Sequence, residues 1–431
     1  MLQTFKKLID TAKAYWGCLH LLKSRSTQVF SAHKHLLLLT WAYPPDVTGG
    51  VYRPASMVRE AKKRGWNITV LSGPAPDHVT EAGRYLENYV SNIGTIVRLE
   101  KSKISPSHKL FCPTISGGFL NLIETIKQGK QVCLKNPPSV IVASGPPFHN
   151  FVAAWVLAKF CGVPYILDYR DEWTECPFDF VETGNTDTYF EKKCIENANA
   201  IIFTTQSHFL HQKKVFNIPD NKRVALIPNG WEAEDVPGED TVNPLAPVNL
   251  RIAFVGHLGE HTLPGGVLHC LEKVFEKHPE LSSCIRVAFV GSKSGSAIQQ
   301  LNEFKYKESL EIVESVPKTI ALKIMQDSDG IILINEPRLH RYRPGKLYDY
   351  ISMKTPILVY GSGGEVENLV SMLGAGFVLS ENNDQELYAA LMGIKEYKKS
   401  LDNSSIDSWL EKHKRSMLAG SFIDLLESVE A

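Results

Sequence analysis

The feature that most constrains this chain is an alternation that begins at His35. Short apolar runs are separated by stretches of helical period, and turn-forming residues punctuate them. In the first half the runs predict strands at His35–Thr40, Ile68–Leu71, Ile96–Leu99, Val140–Ala143, Tyr165–Asp168, Ala200–Thr204 and Arg223–Ile227. Helices are predicted up to about Arg64, near 118–135, over 148–161 and over 186–198. Strands that are apolar throughout and separated by helices belong to parallel sheets covered on both faces. Right-handed crossovers then give a doubly wound α/β unit.

Residues 231–249 interrupt the alternation. Glu232, Glu234, Asp235, Pro237, Gly238, Glu239 and Asp240 are polar punctuation, followed by Pro244 and Pro247. Such a stretch reads as an interdomain linker. The alternation then restarts with strands at Ile252–Val255, Ile285–Val290, Leu310–Val313, Gly330–Ile334, Pro356–Tyr360 and Phe377–Leu379. Two further helices are expected at about 384–398 and 404–428. The expected layout is a first Rossmann-like domain over 31–235, a linker over 236–249, and a second such domain over 250–400. A helix within 401–431 is expected to pack back on the first domain. At roughly 100–200 residues per domain, 431 residues accommodate this plan.

Ahead of it, residues 1–30 form an N-terminal extension. Leu2, Phe5, Leu8, Ile9, Ala12, Tyr15, Trp16, Leu19 and Leu22 recur at spacings of three and four, an amphipathic helical period. Lys6, Lys7, Lys13 and Lys23 make it basic. It either lies on a membrane surface or packs on its own protein.

Charge and cysteine content exclude several classes. Lys plus Arg and Asp plus Glu are 47 each, so no global field attracts nucleic acid. The eight cysteines include no C-x-x-C pair, which disfavours a zinc ribbon or a thioredoxin-type site. Cys161, Cys194 and Cys270 sit in apolar patterns and read as small buried hydrophobes. A reducing, cytoplasmic compartment fits this usage. No continuous apolar signal segment is expected, and no run approaches the ~20 residues that span a bilayer.

In a doubly wound sheet, ligands bind at the carboxyl ends of the strands. The loop Tyr43–Gly50 opens a helix, and Gly49 and Gly50 there let backbone N–H groups approach an anion or simply serve a tight turn. The loop Ser144-Gly145-Pro146-Pro147-Phe148-His149 offers His149 as an acceptor contact or a structural histidine. Asp168-Tyr169-Arg170-Asp171-Glu172-Trp173 crowds four charges and an aromatic onto one strand end. Asp171 and Arg170 are catalytic candidates and Trp173 an acceptor contact; the plainer alternative is an Arg–Asp pair that locks the loop. The chain has neither a G-x-G-x-x-G fingerprint nor a Walker A sequence, which disfavours dehydrogenases and P-loop enzymes.

In the second half, His257 follows Val255-Gly256 and Lys293 follows Val290-Gly291-Ser292, as in a phosphate or ribose cradle or an ordinary βα turn. The most informative segment is Arg341-Tyr342-Arg343-Pro344-Gly345-Lys346-Leu347-Tyr348-Asp349-Tyr350. Pro344 suits a helix start, and Lys346 and Asp349, three apart, share one helical face. Near that start Lys346 meets a phosphate, with Arg343 close by, and Asp349 accepts ribose hydroxyls; the alternative is a surface ion pair. Gly361-Ser362-Gly363-Gly364-Glu365 is a glycine-rich turn. Gly363 and Gly364 offer N–H groups to a diphosphate, and Glu365 is either a ligand contact or a helix-start carboxylate.

In order and spacing these segments resemble the family 4 glycosyltransferases of GT-B fold, over roughly residues 35–400. The matching pieces are Tyr43–Gly50, Lys63–Leu71, Ser144–Pro147 with Asp168–Trp173, Ile227-Pro228-Asn229-Gly230, Phe254-Val255-Gly256, Phe289-Val290-Gly291 and Pro344–Tyr350. Ser144–Pro147 and Asp168–Trp173 look like the pair found in bacterial surface-polysaccharide members, including those that transfer N-acetylfucosamine. The resemblance implies two Rossmann-like domains facing a central cleft and a retaining transfer from a nucleotide-sugar to a glycan or lipid-linked acceptor. It implies no cofactor and no metal. The donor half would use Lys346, Asp349 and the Gly363–Glu365 turn, with Lys346 also catalytic. The chain departs from the pattern where Arg341 replaces the first Glu of E-x7-E and His257 replaces the usual Arg. Those departures motivate one alternative, an inactive partner subunit; a sugar-nucleotide 2-epimerase, which shares the fold and ligand type, is the other. Asp327-Ser328-Asp329 matches a metal-binding D-x-D pattern, but it joins a helix end to an apolar strand and reads as turn chemistry.

Overall fold

The computed structural model describes residues 34–100, 115–178, 181, 183–184 and 186–430. The expected helix within residues 1–30 lies outside them. The chain divides into two compact units: one runs up to Pro228 and takes back the chain from Arg415, the other is Asn229–Lys414.

The first unit carries a seven-stranded sheet. Its strands are β1 (His35–Thr40), β2 (Asn67–Ser72), β3 (Thr95–Arg98), β4 (Val140–Gly145), β5 (Tyr165–Tyr169), β6 (Ala200–Phe203) and β7 (Arg223–Leu226), in the order β3-β2-β1-β4-β5-β6-β7. Every pairing is parallel; Leu37 of β1 lies opposite Thr69 and Ile141. The helices are α1 (Tyr52–Lys63), α2 (Glu81–Tyr89), α3 (Phe119–Lys135), α4 (His149–Cys161), α5 (Asp187–Asn197) and α6 (Gln206–Phe216). β1 is buried along its whole length, as a central strand covered on both faces must be. α4 is apolar nearly all round because α3 covers it as well as the sheet. Gly129 makes that approach possible: a Cβ there would come within 2.4 Å of Leu157.

The second unit carries six parallel strands: β8 (Leu250–Val255), β9 (Ile285–Val290), β10 (Leu310–Val313), β11 (Gly330–Ile334), β12 (Ile357–Tyr360) and β13 (Gly376–Leu379). Their order is β10-β9-β8-β11-β12-β13. Its helices are α7 (Gly265–Lys277), α8 (Leu281–Cys284), α9 (Gly295–Glu303), α10 (Lys318–Asp327), α11 (Gly345–Ser352), α12 (Gly364–Leu373), α13 (Asp384–Ser400) and α14 (Asn403–Lys412). Buried side chains fill both faces of this sheet, with Leu347, Tyr348 and Tyr350 on one side and Val267, Leu271 and Phe275 on the other.

The helix expected over 404–428 is two helices, α14 and α15 (Arg415–Glu430). At the break Trp231 pairs with Lys414, its N–H donates to His413 O at 3.2 Å, and its indole donates to Leu410 O at 2.8 Å. α14 buries Ile406, Trp409 and Leu410 in the second unit. α15 buries Phe422, Ile423 and Leu426 beside Ala55, Val58 and Ala61 of α1 in the first. The chain enters the second unit at Asn229, ahead of the 236–249 stretch expected as linker. Trp231 and Asp235 are buried there, so polar composition at 232–240 marks a packed turn as well as a connection. Cys161, Cys194 and Cys270 are buried. Asp327 and Asp329 have separate protein partners: Asp327 meets Lys323 and Asn243, and Asp329 accepts from the Arg251 N–H at 2.8 Å.

Candidate functional site

Because both sheets are parallel, every strand of a unit delivers its following loop to one edge of the sheet. In the first unit most charged groups at that edge are committed to the protein. Arg53 of α1 donates to Asp168 of β5 through Nε at 3.1 Å and Nη2 at 2.7 Å, both residues buried. Ser144 donates to the same carboxylate at 2.9 Å, and Arg53 Nη1 reaches Pro228 O at 2.9 Å. Asp168 therefore pairs with Arg53 rather than with the neighbouring Arg170. Arg170 spends its guanidinium on backbone carbonyls: Gly50 O at 2.8 Å, Gly145 O at 3.2 Å and Pro146 O. It ties three strand-end loops together and is not available as a catalytic cation. A Cβ at Gly50 would fall 2.1 Å from Arg170 Nη1, so a side chain there would displace the guanidinium, whereas Gly49 faces open space.

Two expected acceptor contacts belong to the core. Trp173 is fully buried, stacks on Phe148 with ring centroids 5.2 Å apart, and donates its indole N–H to Asp187 at 2.9 Å. Asp187 also accepts from the N–H groups of Gly184 and Ser116. One turn further along α5, Glu191 accepts from Thr174 N at 2.9 Å, Thr174 Oγ1 at 2.6 Å and Tyr169 OH at 3.1 Å. Burial raises Asp187 to about 6 and Glu191 to about 8, against these hydrogen bonds. Two buried carboxylates of one helix thus fix the loop that carries Asp171. His149 is also fully buried, edge-on to Trp41 at 5.3 Å, with Nδ1 against Gly117. Neither ring nitrogen has a hydrogen-bond partner, and burial lowers its pKa to about 3, so it is a neutral core residue.

Asp171 differs from its neighbours. It is partly exposed and accepts no hydrogen bond among the described residues. Burial raises its pKa to about 6; Arg170 opposes the shift, and Glu172 and Asp168 add to it.

In the second unit most of the expected donor-binding groups are also spoken for. Lys293 donates to Gly291 O at 2.6 Å and Val313 O at 2.7 Å, joining the ends of β9 and β10. His257 bonds Ser292 at 2.9 Å, which aligns the turns after β8 and β9. Arg343 and Glu365 pair with each other at 2.7 Å. The Gly363 N–H donates to the Glu367 carboxylate, and the Glu365 N–H to His340 O at 2.8 Å. The start of α12 is thus largely capped from within, which removes two of the N–H groups expected to face a diphosphate. Gly363 and Gly364 have φ of 101° and 77°, and His340 occupies the space where their side chains would stand. Asn335 holds the turn from below through Gly361 O and Gly363 O.

Lys346 is the exception. α11 is anchored by Tyr350, whose hydroxyl donates to Val255 O at 2.6 Å, and by Tyr348, stacked on Trp409. This sets the Lys346 ammonium 4.1 Å from the centre of the Phe254 ring and beside Gly256 at the end of β8. Among the described residues it has no carboxylate or hydrogen-bond partner. Loss of hydration lowers its pKa to about 7. Pro344 is the N-cap rather than the first helical residue, and no side chain caps α11. Its first N–H groups therefore lack intrahelical partners. A Cβ at Gly345 would meet nothing within 4 Å, so there is open space at that helix start. One turn on, Asp349 faces Lys318 at 3.4 Å. An uncommitted ammonium at a helix start, with a carboxylate a turn away, suits a phosphate joined to a polyhydroxyl group.

The residues missed at the sequence level are Arg53, Asn335, His340 and Lys318, whose partners lie far along the chain. Asp187 and Glu191 carried a readable signal: two carboxylates four apart on the helical face that also bears Phe190 and Cys194.

No family model and no curated relative matches this chain. Solved structures do. It is similar to the sucrose-phosphate synthase from Thermosynechococcus elongatus, with a TM-score of 0.69, 13% identity, and 92% of this chain and 99% of that one covered. A trehalose-6-phosphate protein from E. coli bound with UDP-2-fluoro glucose gives 0.66, 12%, and 91% and 98%. A putative UDP-N-acetylglucosamine 2-epimerase from Listeria monocytogenes gives 0.56, 12%, and 92% and 96%. At such identities the likeness speaks for fold, and with the two parallel sheets described above it establishes that this chain has the GT-B fold of two Rossmann-like domains.

Proposed function

We propose that the chain is a glycosyltransferase that moves a sugar from a nucleotide-sugar donor to a glycan or lipid-linked acceptor. The observation that carries this is Lys346: a cation at a helix start on the sheet's carboxyl edge, without a protein counter-ion among the described residues. In the transfer the bond between the anomeric carbon and the diphosphate oxygen breaks, and a nucleoside diphosphate leaves. The Lys346 ammonium and the first N–H groups of α11 offset its charge. A bond forms between that carbon and an acceptor hydroxyl oxygen, and the hydroxyl proton departs. Asp171, with a carboxyl near 6, is the group of the first unit suited to orient that hydroxyl and accept the proton. Asp349 accepts the ribose hydroxyls. The similarity to a protein bound with UDP-2-fluoro glucose supports the donor class.

The finer reading follows the sequence resemblance: retention of anomeric configuration, charge compensation by protein groups rather than a metal, and a role in surface polysaccharide synthesis at the cytoplasmic membrane face. No helix among the described residues is long and apolar enough to cross a membrane. The similarity to a putative epimerase favours one second reading, isomerisation of a UDP-sugar without acceptor. Incubation with UDP-, GDP- and ADP-sugars, followed by NMR, separates the two. Release of nucleoside diphosphate only with a glycan or lipid-linked acceptor supports transfer. A new sugar nucleotide formed from donor alone supports epimerisation. If no nucleotide or nucleotide-sugar raises the melting temperature, both readings fail.

A further inference from the structure

Lys318, the first residue of α10, stands between two carboxylates from distant parts of the chain. Its Nζ lies 2.6 Å from Asp235 Oδ2 and 3.4 Å from Asp349 Oδ1. The contacts are unequal in the way the burial is. Asp235, ending the 3-10 turn Ala233–Asp235, is 8% exposed and takes the short contact; Asp349 is 19% exposed and takes the long one. At 3.4 Å the N···O separation is outside the range of a good hydrogen bond. The Asp349 carboxylate is thus held by charge while its lone pairs stay largely available, and that carboxylate has no other hydrogen bond or ion pair among the described residues. The free lone pairs of Asp349 accept from neutral donors, and a vicinal pair of hydroxyls supplies two.

α11 determines where those hydroxyls would be. Tyr350 locks the helix to the end of β8, so Asp349 sits one turn from Lys346 on the same face. A ligand whose phosphate meets Lys346 would present the sugar of its nucleoside to Asp349. A cation beside a carboxylate restricts its rotamers, which sharpens it as an acceptor.

We propose that Lys318 is a positioning residue that sets Asp349 to accept both hydroxyls of a ribose, making the site selective for ribonucleotides over 2′-deoxyribonucleotides. This rests on the reading of Asp349 as facing the donor's nucleoside.

The test is calorimetric titration of the full chain with UDP and 2′-deoxy-UDP, and with the corresponding ADP and GDP pairs. The wild-type protein is expected to prefer the ribonucleotide by at least about tenfold, the scale of a hydrogen bond to a charged group. Lys318→Met is expected to bring that preference to within about twofold, weakening the ribonucleotide more than the deoxy form, which keeps only its 3′-hydroxyl; Lys318→Arg is expected to keep it. If Lys318→Met does not fold, Lys318→Gln carries the same test, since it removes the charge but keeps a donor. An intact preference in the charge-less variant overturns the proposal, and so does an equal loss for both ligands, which marks a merely structural role. Failure of the wild-type protein to bind any of the ribonucleoside diphosphates overturns the donor-site reading itself, a different result.

Discussion

The two units finish their strands in loops of the same kind, yet each leaves a different charge uncommitted. In the first, Arg53, Asp168, Arg170, Asp187 and Glu191 are absorbed into a hydrogen-bonded frame, and Asp171 stands outside it. In the second, Lys293, His257, Arg343 and Glu365 are absorbed, and Lys346 stands outside. One frame presents a carboxyl group and the other an amine. The contrast teaches that most charged residues crowded onto these strand ends are scaffold, and that the chemistry falls to the few the scaffold holds in place.

The first way to break this contrast is to remove the frame. Arg53→Met leaves Asp168 buried without its counter-ion, a loss of about 3–5 kcal/mol for a pair of this kind. At roughly 2–4 °C per kcal/mol for a unit of this size, thermal unfolding should begin about 10 °C lower. A shift of a degree or less would show that the frame is not what holds these loops.

A smaller effect sharpens the line between scaffold and site. Trp173→Phe keeps the stacking on Phe148 but takes one donor from Asp187, at a cost of about 1–3 kcal/mol. The melting temperature should fall and the KM for acceptor should stay the same. A raised acceptor KM with unchanged melting would return Trp173 to the acceptor site.

The smallest effect comes from pH and reads Lys346 directly. In the folded chain its pKa is about 7, and in the unfolded chain it returns to 10.5. Between those values the unfolded chain binds more protons, so without ligand this residue makes stability rise with pH across that window. A bound diphosphate favours the ammonium. Nucleotide binding at pH 8 should therefore take up a proton, and affinity should fall above pH 7 by at most about tenfold per unit. Calorimetry in buffers of different ionisation enthalpy measures the uptake, and Lys346→Ala should abolish it.

The sheets were legible in the sequence because their central strands are buried on both faces. Leu36–Leu39 of β1 and Val287–Val290 of β9 are unbroken apolar runs, and both strands span the predicted residues. Strand ends shifted by one or two residues where a polar residue continues the ladder, as Ser144 and Gly145 do in β4. The break between α14 and α15 was hidden because Trp231, which bonds to the chain there, lies far upstream. The roles of charged residues were the least legible part. Arg53 and Asp168 are 115 positions apart, and Arg343 and Glu365 meet only because separate strands deliver their loops to one edge. Spacing reveals which residues share a helical face, as with Lys346 and Asp349. It does not reveal which of them another loop has already claimed.

The account turns on Lys346 as the cation kept for a ligand, and titration of UDP into the wild-type chain and into Lys346→Ala tests it most directly. The prediction is at least about tenfold weaker binding in the variant, with a melting temperature equal to or above that of the wild type, since a poorly hydrated cation is removed. Equal affinity for UDP in the two proteins would contradict it.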